Sequence, residues 1–366
     1  MKILYLTNQL HLHGGIEKML SQKINYLIEE LGHEVILCTS EHKNNSLVYP
    51  LSDKLKHIDL GINYIRSKSY FHPKNLLKST KHFKALKATI KNEKPDVIIS
   101  VNYTPEQYFI LFIEKQIPKV KEFHSSGISI KRDNGISGKL KHQLFKLFVR
   151  YNSLIVLNQD EVKYYPFENV TVIPNFIKLE FHKTIFKKEN TIVAAGRIAP
   201  VKQLDHLIRA WSKIANQFPD WQVKIYGDGD KNLEIQLNNL IAQLNVPNIR
   251  LMGPTTDLKN EMEKGSVYAM TSVTECFPMV LLEAQAAQMA LISYDCPYGP
   301  RNIIKDNSTG VLTPHNSIED FSKLLKDLLL DEEKIKKLGR HAQLDVAEFS
   351  EQRIMMEWQK LFKSLK

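Results

Sequence analysis

Short β-branched runs alternate with helix-period segments along almost the whole chain, and this alternation is what most restricts its fold. Successive strands joined by helical crossovers must lie parallel, so the pattern predicts α/β units built on parallel sheets. In the first half the strand candidates are residues 2–7, 34–39, 96–101, 120–124, 153–158 and 171–174. In the second half they are residues 191–196, 222–226, 249–252, 267–271, 291–294 and 310–313. Each set predicts a sheet of about six strands. The first helix is sharply marked, with Ile16, Leu20, Ile24, Leu27, Ile28 and Leu31 on one face and Gly32 as its stop. A chain of 366 residues exceeds what one hydrophobic core organises, so two domains are expected. The run Ile173-Pro174-Asn175-Phe176 closes the first strand set and marks the hinge, before a basic irregular stretch that reaches Glu189.

Composition narrows the class of protein. An apolar fraction of 43% with 25% charged residues is that of a soluble globular chain. The opening residues lack the apolar run of a signal peptide, and no stretch approaches the ~18 apolar residues of a spanning helix. Cys38, Cys276 and Cys296 are spaced for neither disulfides nor metal, and a reducing cytoplasm is the expected compartment.

The net charge of +10 is unevenly placed. Residues 1–180 hold 26 Lys/Arg against 17 Asp/Glu, whereas residues 181–366 hold 24 against 23. Within residues 51–150 the imbalance is 20 against 8, which points to an anionic partner for one domain only. Residues 73–94 predict a basic amphipathic helix, with Leu76, Phe83, Leu86 and Ile90 on one face and Lys74, Lys78, Lys81, Lys84 and Lys91 on the rest. Lys131, Arg132, Lys139, Lys141, Lys146 and Arg150 add a second basic stretch, interleaved with Leu140, Leu144, Phe145 and Phe148. Such segments suit anionic headgroups, each basic residue adding up to ~1 kcal/mol, or else are ordinary solvated faces. No groove-reading or aromatic RNA-binding signature is visible, so nucleic acid is not expected as a partner.

The most informative local stretch is Thr274 to Ala284, where Glu275 and Glu283 stand eight residues apart, the second inside an apolar run. If Pro278 opens a helix, Glu275 lies in the preceding loop and Glu283 about 7.5 Å up the axis. Exposed N–H groups at that helix start attract phosphate, and carboxylates accept hydrogen bonds from sugar hydroxyls. The competing reading is a core helix with one stray acid. Arg197 follows the first strand of the same half and Lys202 begins the next helix, so two cations converge on that sheet edge, as a diphosphate requires.

Three further signals are weaker. The turn His13-Gly14-Gly15-Ile16 follows the first strand and opens a helix, where backbone N–H groups can approach an anion. Tyr226-Gly227-Asp228-Gly229-Asp230-Lys231 lacks the third glycine of a dinucleotide fingerprint, and its aspartates would repel a pyrophosphate. It reads instead as a turn whose backbone approaches a nucleotide. His124 ends a predicted strand beside Ser125, Ser126 and Gly127, where a histidine could serve a reacting centre or simply be structural.

Taken together these residues resemble the GT-B glycosyltransferases of family 4. The likeness runs through Gly14-Gly15, His124, Val172-Ile173-Pro174-Asn175, Gly196-Arg197 with Lys202, and the Glu275–Glu283 element. The run Asp295-Cys296-Pro297-Tyr298-Gly299-Pro300-Arg301-Asn302-Ile303-Ile304 is similar to a bacterial subgroup that builds surface polysaccharides and lipid-linked glycans. The resemblance implies two Rossmann-like parallel-sheet domains facing across a cleft. The expected boundaries are 1–175 for an acceptor domain, 176–348 for a nucleotide-sugar donor domain, and 349–366 for a helix returning to the N-terminal domain.

The activity implied is retaining transfer of a hexose or N-acetylhexosamine from a nucleotide diphosphate sugar, with UDP as the family prior, to a lipid-linked or surface-glycan acceptor. On matching positions Arg197 and Lys202 would hold the diphosphate, Glu283 the ribose and Glu275 the transferred sugar. Backbone N–H groups around Phe277 to Val280, a segment that includes Pro278 and Met279, would assist the phosphates. Gly14 and Gly15 would close over the diphosphate, and His124 would touch the sugar near its anomeric carbon.

The family pattern needs no metal and no cofactor, and its chemistry is described as same-face displacement through an oxocarbenium-like state. Accordingly no protein nucleophile is expected. The expected location is the cytoplasm, peripheral at the inner face of the membrane through basic residues of 73–150. Two positions depart from the pattern. Cys276 stands where Gly is usual, narrowing the sugar pocket and putting a thiol near the donor, and Gln288 replaces another Gly. An epimerase or phosphorylase on the same architecture, and a non-enzymatic anionic-lipid-binding protein, are the alternatives.

Overall fold

The computed structural model describes residues 1–12, 14–43, 45–101, 103–128, 142–179 and 187–365. The chain divides into two compact units, Met1–Ile173 with Trp358–Lys366, and Pro174–Glu357.

The first unit carries a seven-stranded sheet in the order β3-β2-β1-β4-β5-β6-β7. Its strands are β1 (Lys2–Thr7), β2 (Glu34–Thr39), β3 (Lys56–Asp59), β4 (Val97–Ser100), β5 (Lys119–Glu122), β6 (Ser153–Val156) and β7 (Val170–Val172). Every neighbouring pair runs parallel. Central strands of such a sheet are covered on both faces, which is why β1 reads Lys-Ile-Leu-Tyr-Leu-Thr with its last five residues buried. β3 is the strand that periodicity does not mark. Its sequence Lys-His-Ile-Asp is polar, and it forms because the open edge of β2 supplies a ladder partner.

Two helices of this unit matter below. α1 (Gly15–Glu29) turns Met19, Leu20, Ile24, Leu27 and Ile28 inward, and with them Lys23. α2 (Pro73–Glu93) is capped by His72, whose ring accepts from the Lys74 N–H, and ends at Lys94 in the left-handed region. Its inner face is Asn75, His82, Leu86 and Ile90. Leu76, expected on that face, is 49% exposed, and Leu77 beside it is 75% exposed. The reason is that the Asn75 amide occupies the inward position, binding the Ile65 backbone through both its N–H and carbonyl groups. Lys78, expected in solvent, donates to the Ile62 carbonyl at 2.9 Å. Of the second basic stretch, Lys131, Arg132, Lys139, Lys141 and Leu140 lie outside the described residues.

The second unit carries six parallel strands in the order β10-β9-β8-β11-β12-β13. They are β8 (Glu189–Ala195), β9 (Gln222–Tyr226), β10 (Ile249–Gly253), β11 (Gly265–Met270), β12 (Ala290–Tyr294) and β13 (Gly310–Thr313). Helices α3 (Leu204–Ser212), α4 (Lys231–Gln243), α5 (Met279–Ala286), α6 (Ile318–Leu329) and α7 (Glu332–Asp345) belong to it, with a shorter helix over Leu258–Lys264. Its core gathers Ile192, Val223, Ile225, Val267 and Ile292 from the sheet against Leu207, Trp211, Phe321 and Leu325 from the helices.

The terminal helix α8 (Glu351–Ser364) begins in the second unit, and from Trp358 onward its residues count with the first. Trp358 is 1% exposed, and the Phe362 ring meets His33 edge-on at 6.1 Å. Among the described residues no helix is long and apolar enough to cross a membrane.

Candidate active site

In both sheets the strand order reverses beside the first strand. β1 has β2 on one side and β4 on the other, and β8 has β9 and β11. Ligands of open parallel sheets bind outside the carboxyl ends of the strands at such a point. The expected site residues fall there. Gly14 and Gly15 follow β1, Arg197 and Lys202 follow β8, and Glu275 follows β11.

In the second unit the loops after β8 and β9 are joined backbone to backbone. Gly196 N–H donates to Tyr226 O at 3.0 Å, Ile198 N–H to Asp228 O at 2.9 Å, and Asp230 N–H to Ile198 O at 2.9 Å. This contact explains the glycines of the Tyr226–Lys231 turn. A Cβ on Gly227, which has φ +153°, would stand 1.9 Å from Gly196 O, and one on Gly229 would stand 2.3 Å from Ile198 O. The close backbone approach expected for a nucleotide is thus met by the neighbouring loop. Asp230 caps α4, accepting from Asn232 and Leu233 N–H, and Asp228 pairs with Lys231 at 3.0 Å. The zipped loops hold Arg197 exposed at the sheet edge.

Lys202 does not begin a helix as expected. It ends a 3-10 turn, Pro200–Lys202, and Gln203 at φ +43° separates that turn from α3. The turn is tied to the loop after β11, where Val273 N–H donates to Val201 O and the Thr271 hydroxyl bonds the Lys202 and Gln203 carbonyls. These ties bring Lys202 Nζ to 2.6 Å from Glu275 Oε1, with side-chain exposures of 22% and 15%. A charge-assisted hydrogen bond of this length between half-sheltered groups fixes both side chains.

Glu275 is also held through its backbone. Its N–H donates to Pro297 O, and its carbonyl accepts from the Tyr298 and Gly299 N–H groups. The Asp295–Ile304 run therefore forms the wall behind Glu275. Arg301 braces that wall by a two-point contact with Asp295, its Nε donating at 2.8 Å.

Pro278 proves to be the residue before the helix, extended at ψ 97°, and α5 starts at Met279. Pro278 makes no side-chain cap bond to α5, and N–H groups at such a helix start can receive an anion. Glu283 lies half-buried in its second turn. Tyr268 lies near both acids. Burial lifts its phenol well above the usual range, with Glu283 and Glu275 adding to the shift, and its hydroxyl donates to Ala195 O at 3.0 Å. Phe277 is buried against Phe349, ring to ring at 5.6 Å, and Cys276 is 9% exposed, so the thiol expected beside the donor is largely sheltered.

In the first unit Gly14 is the extended residue before α1. Sequence alone missed what supports this turn. Gln9 is buried, donates to Glu17 at 2.6 Å, and accepts from the His11 and Leu12 N–H groups at 2.7 and 3.0 Å. His124 lies two residues past the end of β5, and its Nε2 sits 3.1 Å from Glu122 Oε2. The same carboxylate oxygen takes a 2.6 Å hydrogen bond from Lys23 Nζ. A lysine on the apolar face of α1 was the available signal for this pair.

Two family models match, Glycosyl transferases group 1 over residues 175–345 and Glycosyltransferase Family 4 over residues 13–181. The chain is 33% identical over 198 residues to an exopolysaccharide phosphotransferase of Streptomyces coelicolor, a stretch that is 54% of this chain and 21% of that protein. It thus spans about a fifth of that relative's own length. An alpha-1,4-N-acetyl-D-galactosaminyltransferase of Campylobacter jejuni, named for a PP-undecaprenol-linked acceptor, is 26% identical over 100% of this chain and 99% of its own. Among solved structures, a Staphylococcus aureus TarM variant crystallised with Fondaparinux, alpha-GlcNAc-glycerol and UDP superposes with a TM-score of 0.78, at 16% identity and 99% coverage of both chains. That likeness extends to the fold.

Proposed function

The chain belongs to the group 1, family 4 glycosyltransferases of GT-B fold, and we propose that this retaining enzyme takes its sugar, a hexose or N-acetylhexosamine, from a UDP-sugar. The acceptor in this reading is a lipid-linked or growing surface glycan. UDP is the nucleotide named with TarM, and an undecaprenol-linked glycan is the acceptor named for the Campylobacter relative.

The observation that carries the donor assignment is the meeting of Lys202 with Glu275 at 2.6 Å, close in sequence to the start of α5 and on the sheet edge that bears Arg197. The cations and the N–H groups of Met279 and Val280 receive the diphosphate, and Glu283 accepts from the ribose hydroxyls. Glu275, steadied by Lys202 and by the Pro297–Gly299 backbone, meets the transferred sugar. Charge leaving on the diphosphate is then stabilised by groups already in place, so none has to reorganise during transfer. For the first unit this reading keeps Gly14 and Gly15 as diphosphate contacts and His124 as a sugar contact.

Attachment at an anionic membrane surface is the second part of the proposal. It rests on the lysines of α2 together with the outward Leu76 and Leu77, an arrangement that suits a helix lying in a headgroup layer.

Arg197→Ala, Lys202→Ala and Glu283→Ala are each expected to abolish donor turnover while the far-ultraviolet spectrum and thermal midpoint stay those of the parent. Wild-type donor affinity and rate in Glu283→Ala would make the assignment wrong. A thermal-shift series across UDP-, GDP- and ADP-sugars identifies the base, because only a ligand bound by the folded state raises the midpoint.

A further inference from the structure

His124 does not stand alone. Glu122 is 1% exposed, and one of its oxygens, Oε2, serves both His124 Nε2 at 3.1 Å and Lys23 Nζ at 2.6 Å. Lys23 in turn lies under the indole of Trp358, with Nζ 4.1 Å from the ring centroid. All four residues belong to the first unit. The side chains of Lys23 and His124 are each 4% exposed, so the arrangement is fixed by packing from α1, β5 and α8 together. The Glu122 charge in turn acts on Tyr5 of β1, which is fully buried, and on Lys121 of β5.

Burying a charge beside an active site is costly, and the site itself does not require Lys23. What the pair supplies is a carboxylate held in its ionised form. Burial alone would raise the Glu122 carboxyl, but Lys23 and the His124 hydrogen bond override it and hold it at about 2. An ionised carboxylate only accepts hydrogen bonds, so the nitrogen facing it, Nε2, must carry hydrogen. In the neutral ring Nδ1 is then the bare nitrogen and accepts.

We propose that Glu122, fixed by Lys23 and Trp358, is a positioning residue that sets the Nε2–H tautomer of His124 and so presents Nδ1 to a donor-sugar hydroxyl as a hydrogen-bond acceptor. This rests on the reading that His124 meets the sugar. It gives the buried pair a role in selecting a hydroxyl at the position His124 touches, since a sugar lacking that hydroxyl leaves Nδ1 unpaired. It also makes Trp358, in the last helix, part of the support for a residue that follows β5.

The test uses the full chain labelled with nitrogen-15 in its histidines, with His124→Ala to assign the resonances. The parent is expected to show His124 in the Nε2–H tautomer. Glu122→Gln, whose amide oxygen still accepts, is expected to keep it. Lys23→Met/Glu122→Leu, which removes both charges without leaving either buried alone, is expected to give mixed tautomers and about a 10²-fold loss of turnover, as for a misplaced catalytic contact. An Nδ1–H tautomer in the parent, or an unchanged Nε2–H tautomer in the double variant, overturns the proposal. Wild-type turnover in His124→Ala with the expected tautomer shifts would remove the sugar contact beneath it and leave the positioning of the ring established.

Discussion

Replacing Gly227 with alanine tests whether the Arg197 loop is held by backbone zipping. The new Cβ would stand 1.9 Å from Gly196 O, and the residue has φ +153°, where side chains are strained. Two costs therefore combine. A non-glycine residue in such a region costs on the order of 1–3 kcal/mol, and overpacking that forces backbone to shift costs about 1–3 kcal/mol more. Two neighbouring substitutions separate these terms. Gly229→Ala brings a 2.3 Å clash with Ile198 O at an unstrained φ, whereas Gly253→Ala has φ +77° with nothing within 4 Å. The expected losses are roughly 2–6 kcal/mol for Gly227→Ala and about 1–3 kcal/mol for each of the others. Urea unfolding followed by tryptophan fluorescence reads this directly, because Trp211 and Trp221 both lie in the core of the second unit. With a slope near 2 kcal/mol per molar, a loss of about 4 kcal/mol lowers the midpoint by about 2 M. Donor affinity should fall with it, since the displaced loop carries Arg197. A Gly227→Ala midpoint no lower than that of Gly253→Ala refutes the zipping argument.

Other expectations are independent of that loop. His82 is buried against the Tyr64 hydroxyl at 3.1 Å, and burial lowers its ring to about 4. The unfolded chain takes up this proton first as pH falls below about 6.5, so the first unit loses about 3 kcal/mol between there and pH 4. His82→Phe should flatten that part of the stability profile, and an unchanged slope would exclude His82 as its source. Liposome flotation should recover more protein with anionic than with neutral lipid, and Leu77→Glu should reduce recovery. Equal recovery on both lipids would sink the electrostatic attachment. Burial raises the Cys38 thiol and lifts Cys296 to about 12, while Cys276 is 9% exposed. All three should react with a thiol reagent only on unfolding, and one fast native thiol would contradict this packing.

The sequence made the sheets legible because parallel strands buried on both faces must be continuously apolar, and every expected run overlaps a strand. What it hid were elements whose reasons are non-local. β3 is polar and exists through the edge of β2, and Leu76 turns outward because Asn75 has backbone partners from Ile65 to Ser69. At the proposed donor site Arg197, Lys202, Glu275 and Glu283 are legible from spacing and resemblance, and the structure joins Lys202 to Glu275. The Pro200–Lys202 turn and the pairing of Gly227 with Gly196 depend on contacts between loops distant in sequence. Lys23 carried a signal, a charge on an apolar face. Its partner Glu122 comes from a strand 99 residues away, and nothing local identifies it.

The placement of Trp358 has a consequence for biosynthesis. The first unit holds residues up to Ile173, then takes its last element from Trp358 onward. At about 5–20 residues per second, roughly 10–40 s of translation separate β7 from that indole. Throughout this interval the pocket over Lys23 stands open on the ribosome, while the whole second sheet is made and can fold. The N-terminal sheet is therefore first in synthesis but last to be sealed. A nascent-chain arrest scan should find its final compaction only after Trp358 has left the exit tunnel.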